Sequence, residues 1–427
     1  MLIHTSQIAA HNAPLIPAHQ RQFSFLAESL LAQGHDPEQM LADLQAFQIA
    51  IPSWALGTGG TRFGRFPGGG EPRDLAEKIA DVGLLHALNQ SSGAISLHIP
   101  WDIPQVAAAT RALAQQYGLR FDAVNSNTFQ DQKDQLHSYK FGSLSHTRAE
   151  VRQQAVAHNI EVIRHGVALG SKSITVWLSD GSCFPGQQNF RQAFRRTLAG
   201  LQEIYAALPV DWRMFVEYKP SEPNFYSMVV QDWGASLLYA SKLGPKAACL
   251  VDLGHHLPSA NIEQNVALLM MEGKLGGFHF NDSKYGDDDL TVGSLKPYQL
   301  FLIFNELVEG FCETGRGQSH YSWMIDASHN VKDPLEDLLQ SVEAIKLAYA
   351  QALLVDRAAL HAAQDQNDVA SAQELLQHAY RTDVRALLAE TRLRHGGALQ
   401  PLALFRQAGV RSALIGERGS YAQASGL

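Results

Sequence analysis

A chain of 427 residues can build one large domain with extensions or two to three domains of ordinary size. Its hydrophobic share of 45% and charged share of 18% are those of a globular protein in water. A net charge of -8 gives no overall attraction to nucleic acid or to anionic lipid, so neither is expected as a partner. Cys183, Cys249 and Cys312 are odd in number, widely spaced and outside any C-x-x-C arrangement. That argues against a disulfide framework or a cysteine zinc site and fits a reducing cytoplasm. The opening MLIHTSQIAAHN has no basic segment leading into an apolar run, and no stretch holds about eighteen consecutive apolar residues. Neither a signal peptide nor a membrane span is expected.

After a polar start, residues 20–48 read as helical, with a restart at Asp36-Pro37-Glu38-Gln39. An acidic cap, a proline in the first turn and a glutamine three residues after the cap are start signals. Eight strand candidates follow: IAIPSW (49–54), AISLHIP (94–100), FDAVNSN (121–127), SITVWLSD (173–180), RMFVEYK (213–219), ACLVDLGHH (248–256), GFHFND (277–282) and YSWMIDAS (321–328). Amphipathic helical patterns separate them, for example over 148–170 and 261–273. Strands alternating with helices predict parallel pairing, because parallel neighbours need long crossovers, and eight such units close naturally into a (β/α)8 TIM barrel. No G-x-G-x-x-G follows the first strand, which disfavours a doubly wound open sheet. Beyond residue 330 only helical patterns appear, starting at the Asp333-Pro334-Leu335-Glu336 cap. The predicted organisation is an N-terminal helical segment (1–48), the α/β barrel (49–345) and a C-terminal helical extension (346–427) that covers a barrel face or a partner subunit. The tail ERGSYAQASGL reads as loose.

Polar residues interrupt the apolar runs late in these strands, where barrel chemistry collects. His98 ends the second, Glu217 and Lys219 the fifth, Asp252 and His255 the sixth, His279 the seventh and Asp326 the eighth. Parity sends Val216, Tyr218, Val251, Leu253, Phe278 and Phe280 to the opposite face. The loop after the seventh strand adds Asp287 and Asp289. Seven oxygen and imidazole donors are too many for one ion, and that many carboxylates cannot converge uncompensated. A pair of divalent cations sharing a bridging carboxylate resolves the repulsion, and a carboxylate and histidine set without thiolate favours Mn, Mg or Co over structural zinc.

Each residue alone also has a plain reading: a strand-end His or Asp is more often a hydrogen-bonded structural group, the DDD run a solvated turn, and Lys219 a neutraliser of Glu217. Ser328 and Asn330 serve equally as turn formers, with Ser328 also a candidate substrate contact. Trp54, Trp101, Phe129 and Trp177 lie at or beyond strand ends, where their faces suit a sugar ring as well as rim packing. The glycine-rich stretch 57–73 lacks the G-K-[ST] ending of a phosphate loop and reads as a binding or oligomer loop.

The motifs SLHIPWD, FDAVNSNTF, TVW, EYK, VDLGHH, GFHFNDSKYGDDDL and MIDASHN resemble those of L-rhamnose isomerases of the broad-specificity bacterial type, in the xylose-isomerase-like barrel superfamily. The resemblance spans residues 20–400. It implies a structural metal on Glu217, Asp252, His279 and Asp326, and a catalytic metal on His255, Asp287 and Asp289 with Asp252 bridging. His98 and Lys219 then touch substrate oxygens, and Asp326 assists catalysis. It also implies a homotetramer in which Phe63 reaches a neighbouring active site. The chain departs from the pattern at Tyr218, where a histidine is expected.

The predicted activity is aldose–ketose isomerisation of L-rhamnose and L-rhamnulose by a two-metal-assisted hydride shift, with two divalent cations per subunit, Mn2+ first and Co2+, Mg2+ or Zn2+ as alternatives. L-mannose and D-allose/D-psicose are further candidate sugars. The competing readings are a ketose 3-epimerase, which the second ligand set argues against, a metal-dependent apurinic endonuclease, which the acidic charge disfavours, and a silent sugar-binding barrel.

Overall fold

Eight short parallel strands alternate with eight helices in a computed structural model that describes residues 3–57, 66, 68–222, 225–329 and 331–420. The strands are β1 (Ala50–Pro52), β2 (Ala94–Ile99), β3 (Arg120–Ser126), β4 (Ser173–Val176), β5 (Arg213–Glu217), β6 (Ala247–Asp252), β7 (Leu275–Phe280) and β8 (Ser322–Ile325). They pair in chain order and close into a barrel, β8 against β1. Each of the eight sequence candidates overlaps one of them; five contain the whole strand, and Arg120–Ser126, Ala247–Asp252 and Leu275–Phe280 begin one or two residues earlier than expected. Two further segments, Gly181–Ser182 and Ser227–Met228, form a small antiparallel pair outside the barrel.

The side-chain parity follows from the pleat. Val216, Tyr218, Val251, Phe278 and Phe280 lie in the large apolar core shared with the surrounding helices. Phe215, Ala248 and Leu250 pack with Ala123 inside the barrel, and Ala50, Ala94 and Met324 form a second interior layer under Trp54. Three of these interior residues stand two positions before an acid, Phe215 before Glu217, Leu250 before Asp252 and Met324 before Asp326. The barrel is thus apolar below and polar at its C-terminal mouth. Gly277 is required by close approach: a Cβ there would lie 2.1 Å from the Ser322 carbonyl oxygen on β8.

Helix starts are fixed by short acidic and amide caps in the βα loops. Asp74 accepts from the Glu77 N–H at 2.9 Å, Asn189 from Gln192 at 3.1 Å, Asp232 from Ala235 at 2.7 Å and Asn261 from Gln264 at 3.0 Å. The predicted restart holds, since Asp36 accepts from Glu38 N–H at 2.9 Å ahead of the helix Pro37–Ala46. Gln39 does not close a capping box but donates to Asp43 at 3.0 Å. Helix also begins earlier than expected, with Thr5–Asn12 and Ile16–Ala32.

Asp333 caps the helix Pro334–Ala352 as predicted. That helix passes through residue 345 without a break, so the expected boundary there lies inside one element. Five more helices, from Arg357–Asp365 to Val410–Arg418, follow it. They fold back on the same subunit: Arg418 pairs with Asp81 at 2.7 and 2.8 Å, His19 with Glu390 at 2.7 Å, and Arg411 with Asp333 at 2.6 Å. The buried Lys346 ammonium caps the end of Pro37–Ala46 through the Leu44 and Phe47 carbonyls. Among the described residues, no single helix is long and apolar enough to cross a membrane. The three cysteines are unpaired.

Candidate metal centre and sugar cleft

The C-terminal mouth opens into a cleft of about 600 Å³, its open entrance included, lined by Trp54, His98, Trp101, Phe129, Trp177, Glu217, His255, His279, Asp287, Asp289, Asp326 and Ser328. Phe63 and Asn330 lie outside the described residues, as does most of the glycine-rich stretch. Glu217 and Asp252 are the last residues of β5 and β6, and His279 is the fifth residue of β7. Asp326, His255 and Lys219 follow one to three residues beyond their strands.

Two groups of ligand-type atoms form here, each within 4.8 Å of one another: Glu217, Asp252, His279 and Asp326, and Asp252, His255 and Asp287. Around His279 Nδ1 lie Glu217 Oε1 at 3.2 Å, Asp326 Oδ2 at 3.6 Å and Asp252 Oδ2 at 3.8 Å. His255 Nε2 lies 3.4 Å from Asp287 Oδ1 and 4.0 Å from Asp252 Oδ2. Ligands about 2.1 Å from one ion sit roughly 3 to 3.5 Å apart, so small inward movements close both groups on a cation.

Asp252 shows how the fit arises. Its Oδ1 accepts from Gly254 N–H at 2.8 Å and from Asn281 Nδ2 at 2.9 Å, which leaves Oδ2 buried and without a hydrogen-bond partner between the two groups. His255 Nδ1 is likewise buried and without one. Buried polar atoms are normally satisfied, so a carboxylate oxygen left over between the two groups fits a cation. Asp289 stands slightly apart from the triad. Its carboxylate takes the Ser328 hydroxyl at 3.0 Å, its carbonyl the Ser328 N–H at 3.0 Å, and its φ of 51° turns the acidic loop back toward β8.

The electrostatics agree. Burial pushes the Asp252 carboxyl up to about 7, with Asp287, Asp326 and Glu217 adding repulsion that His255 only partly offsets. Burial also opposes charge on His279, yet the Glu217, Asp326 and Asp252 carboxylates outweigh it and raise the imidazole to about 9. His255 is raised in the same way, against burial, by Asp252 and Asp287. Glu217, despite its burial, is held below its usual range by His279. In the metal-free protein the surrounding carboxylates favour the charged form of both imidazoles.

Lys219 does not neutralise Glu217, one of the readings its position allowed. Its ammonium instead donates to Asp287 and Glu222, each at 2.5 Å, and lies 5.4 Å from the Trp177 ring centre. Burial, then the His158 and Lys78 charges, push the His98 imidazole down to about 3, so it is neutral. It stacks on Trp101 at 4.0 Å and meets Trp54 and Phe129 edge-on at 5.5 Å. Beneath it Asp102 accepts from the His98 N–H at 2.9 Å, from Lys78 at 2.7 Å and from Ser53. Tyr218, facing away from the cleft, hydrogen-bonds His256 Nε2 at 2.8 Å.

Sequence reasoning missed Glu222, Asn281, Asp102 and Lys78. Lys219-Pro220-Ser221-Glu222 did offer a short-range signal, an acid three residues past the strand-end lysine. Asn281 sits two residues after His279, with the same parity.

No family model matches the chain. A probable sugar isomerase of Rhizobium meliloti (strain 1021) is 51% identical over 426 residues, covering 100% of this chain and 99% of that protein. A probable sugar isomerase of Mesorhizobium japonicum is 52% identical over 425 residues, covering 100% and 98%. Among solved structures, an L-ribulose 3-epimerase superposes with a TM-score of 0.52 at 14% identity, over 76% of this chain and 98% of that one. A D-allulose 3-epimerase from Methylomonas sp. gives 0.52 at 14%, over 71% and 98%. At that identity the likeness speaks for the barrel fold alone. Identity at half of all positions along essentially the whole of both chains goes further: the protein belongs to the family of these probable sugar isomerases.

Proposed function

We propose that the protein is an aldose–ketose isomerase interconverting L-rhamnose and L-rhamnulose, with L-mannose and D-allose/D-psicose as further substrates. The observation that carries this reading is Asp252, shared by both ligand groups with its Oδ2 free of hydrogen bonds between them. Glu217, Asp252, His279 and Asp326 would hold one divalent cation, and Asp252, His255 and Asp287, with Asp289 at the rim, a second. Manganese is the favoured ion, with cobalt, magnesium and zinc as substitutes. Cations bound there supply Lewis acidity at adjacent sugar oxygens.

In the forward direction a hydrogen moves with its electron pair from C2 to C1, while O2 loses a proton and O1 gains one. Asp326, raised by burial and reachable from the cleft, is suited to carry that proton between the oxygens. Lys219 would donate to a sugar oxygen, and the neutral His98, whose Nδ1 has no hydrogen-bond partner, would offer its ring to another. Trp101, Phe129 and Trp177 would cover the apolar face of the sugar, with Trp54 and Ser328 at the rim. Under this reading the subunits assemble as a cytoplasmic homotetramer.

The test is a panel of aldoses and ketoses assayed after chelator stripping and after return of Mn2+, Co2+, Mg2+ or Zn2+. L-rhamnose turnover that vanishes on stripping and returns with metal supports the proposal. Activity that survives stripping sinks the two-cation reading, and a ketose converted only to its 3-epimer favours the epimerase. Solvent deuterium at C1 of the product would exclude a direct hydride shift.

A further inference from the structure

Lys219 is held between two carboxylates, and only one of them belongs to a ligand group. Its ammonium contacts Asp287 Oδ2 and Glu222 Oε1 at 2.5 Å each, with side-chain exposures of 3% for the lysine and 9% for either acid. The two oxygens of Asp287 are divided between different tasks. Oδ2 accepts from the ammonium, while Oδ1 lies 3.4 Å from His255 Nε2 in the second group. An ammonium bonded to one oxygen of a carboxylate repels a divalent cation approaching the other, and burial leaves that repulsion poorly screened.

We propose that Glu222 is a positioning residue for the second cation. By sharing the Lys219 ammonium it draws positive charge away from Asp287, keeps Oδ1 available for ligation, and anchors the ammonium beside Trp177 at the cleft wall. The inference rests on the two-cation reading. A glutamate that only satisfied a buried lysine would affect folding stability without distinguishing one cation site from the other.

The test titrates chelator-stripped wild type, Glu222→Gln, Lys219→Met and the double variant with Mn2+ in the absence of sugar, reading free Mn2+ by electron paramagnetic resonance. Glu222→Gln should weaken the second binding step about tenfold and leave the first within about twofold. The double variant should regain the second step, because the competing ammonium is gone. An unchanged second step in Glu222→Gln, or a double variant as weak as Glu222→Gln, overturns the proposal. Where Glu222→Gln fails to fold by circular dichroism, Lys219→Met alone decides: the second step must tighten, and weakening overturns the proposal. Uptake of a single cation by wild type removes the two-cation reading itself and this inference with it.

Discussion

The indole N–H of Trp54 donates to Asp326 Oδ1 at 2.8 Å, joining the turn after β1 to the end of β8. Trp54→Phe keeps an aromatic ring against His98 and removes only the donor. The Asp326 carboxylate then loses a bond that favours its charged form, and its pKa rises further above the ordinary range. Steady-state kinetics should show kcat/KM down about tenfold, equivalent to about 1.4 kcal/mol, with the thermal melt little changed. An unchanged kcat/KM would remove Trp54 from the machinery.

The second prediction concerns protons in the metal-free protein. His279 is raised from 6.5 to about 9, so its contribution to stability is complete below about pH 6.5 and is lost as pH rises through about 9. Asp252 is raised from 3.8 to about 7, which costs stability progressively as pH rises across that interval. Both act in the same direction, and the metal-free protein should melt at a lower temperature at pH 9 than at pH 6. Ligation requires His279 to give up its proton, so Mn2+ binding near pH 7.5 should release protons and tighten toward pH 9. Calorimetry in buffers of different ionisation heat measures the release, and a pH-independent affinity would contradict it.

Lys78 and Asp102 form a pair in which each side chain is 1% exposed. Lys78→Met leaves a buried carboxylate whose side-chain and backbone donors, among the described residues, are the Ser53 hydroxyl and the His98 backbone N–H. Denaturant unfolding should show a loss of about 3 to 5 kcal/mol, and Lys78→Met/Asp102→Asn should recover part of it. Because Asp102 anchors the end of β2, KM should rise through displacement of His98 and Trp101.

Gly277→Ala tests the barrel wall beneath the candidate metal centre. Its methyl would meet the Ser322 carbonyl at 2.1 Å, and Gly277 is aligned with Ser322 across β7 and β8. Separation of the strands should cost about 1 to 3 kcal/mol, read as a lower melting temperature and a smaller soluble yield. A melt equal to wild type would show that the backbone yields freely there.

The strands and their candidate ligands were legible for one reason. A buried parallel strand reads as an apolar run, and an acid or imidazole interrupting it with inward parity stands out, as Glu217, Asp252 and His279 do. Thr5–Asn12 was not legible, because TSQIAAHN has only three apolar residues and draws its order from contacts such as Asn12 with Gly397 and Leu399. The Lys219–Asp287 contact was not legible because Asp287 lies 68 positions away in sequence, and no local pattern encodes that meeting. The strand pair at Gly181–Ser182 and Ser227–Met228 is too short to show any period.

The barrel closes between β1 and β8 on a single aligned pair, Ala50 with Met324, whereas β5 with β6, β6 with β7 and β7 with β8 each align four. Side chains reinforce that junction: the His329 imidazole bridges the Ala55 carbonyl and the Asp337 carboxylate at 2.8 and 2.9 Å, and the Trp54–Asp326 bond crosses the same gap. Glu217, Asp252, His279 and Asp326 therefore all stand on the continuously paired side of that seam, and Trp54, on its far side, reaches them through its bond to Asp326.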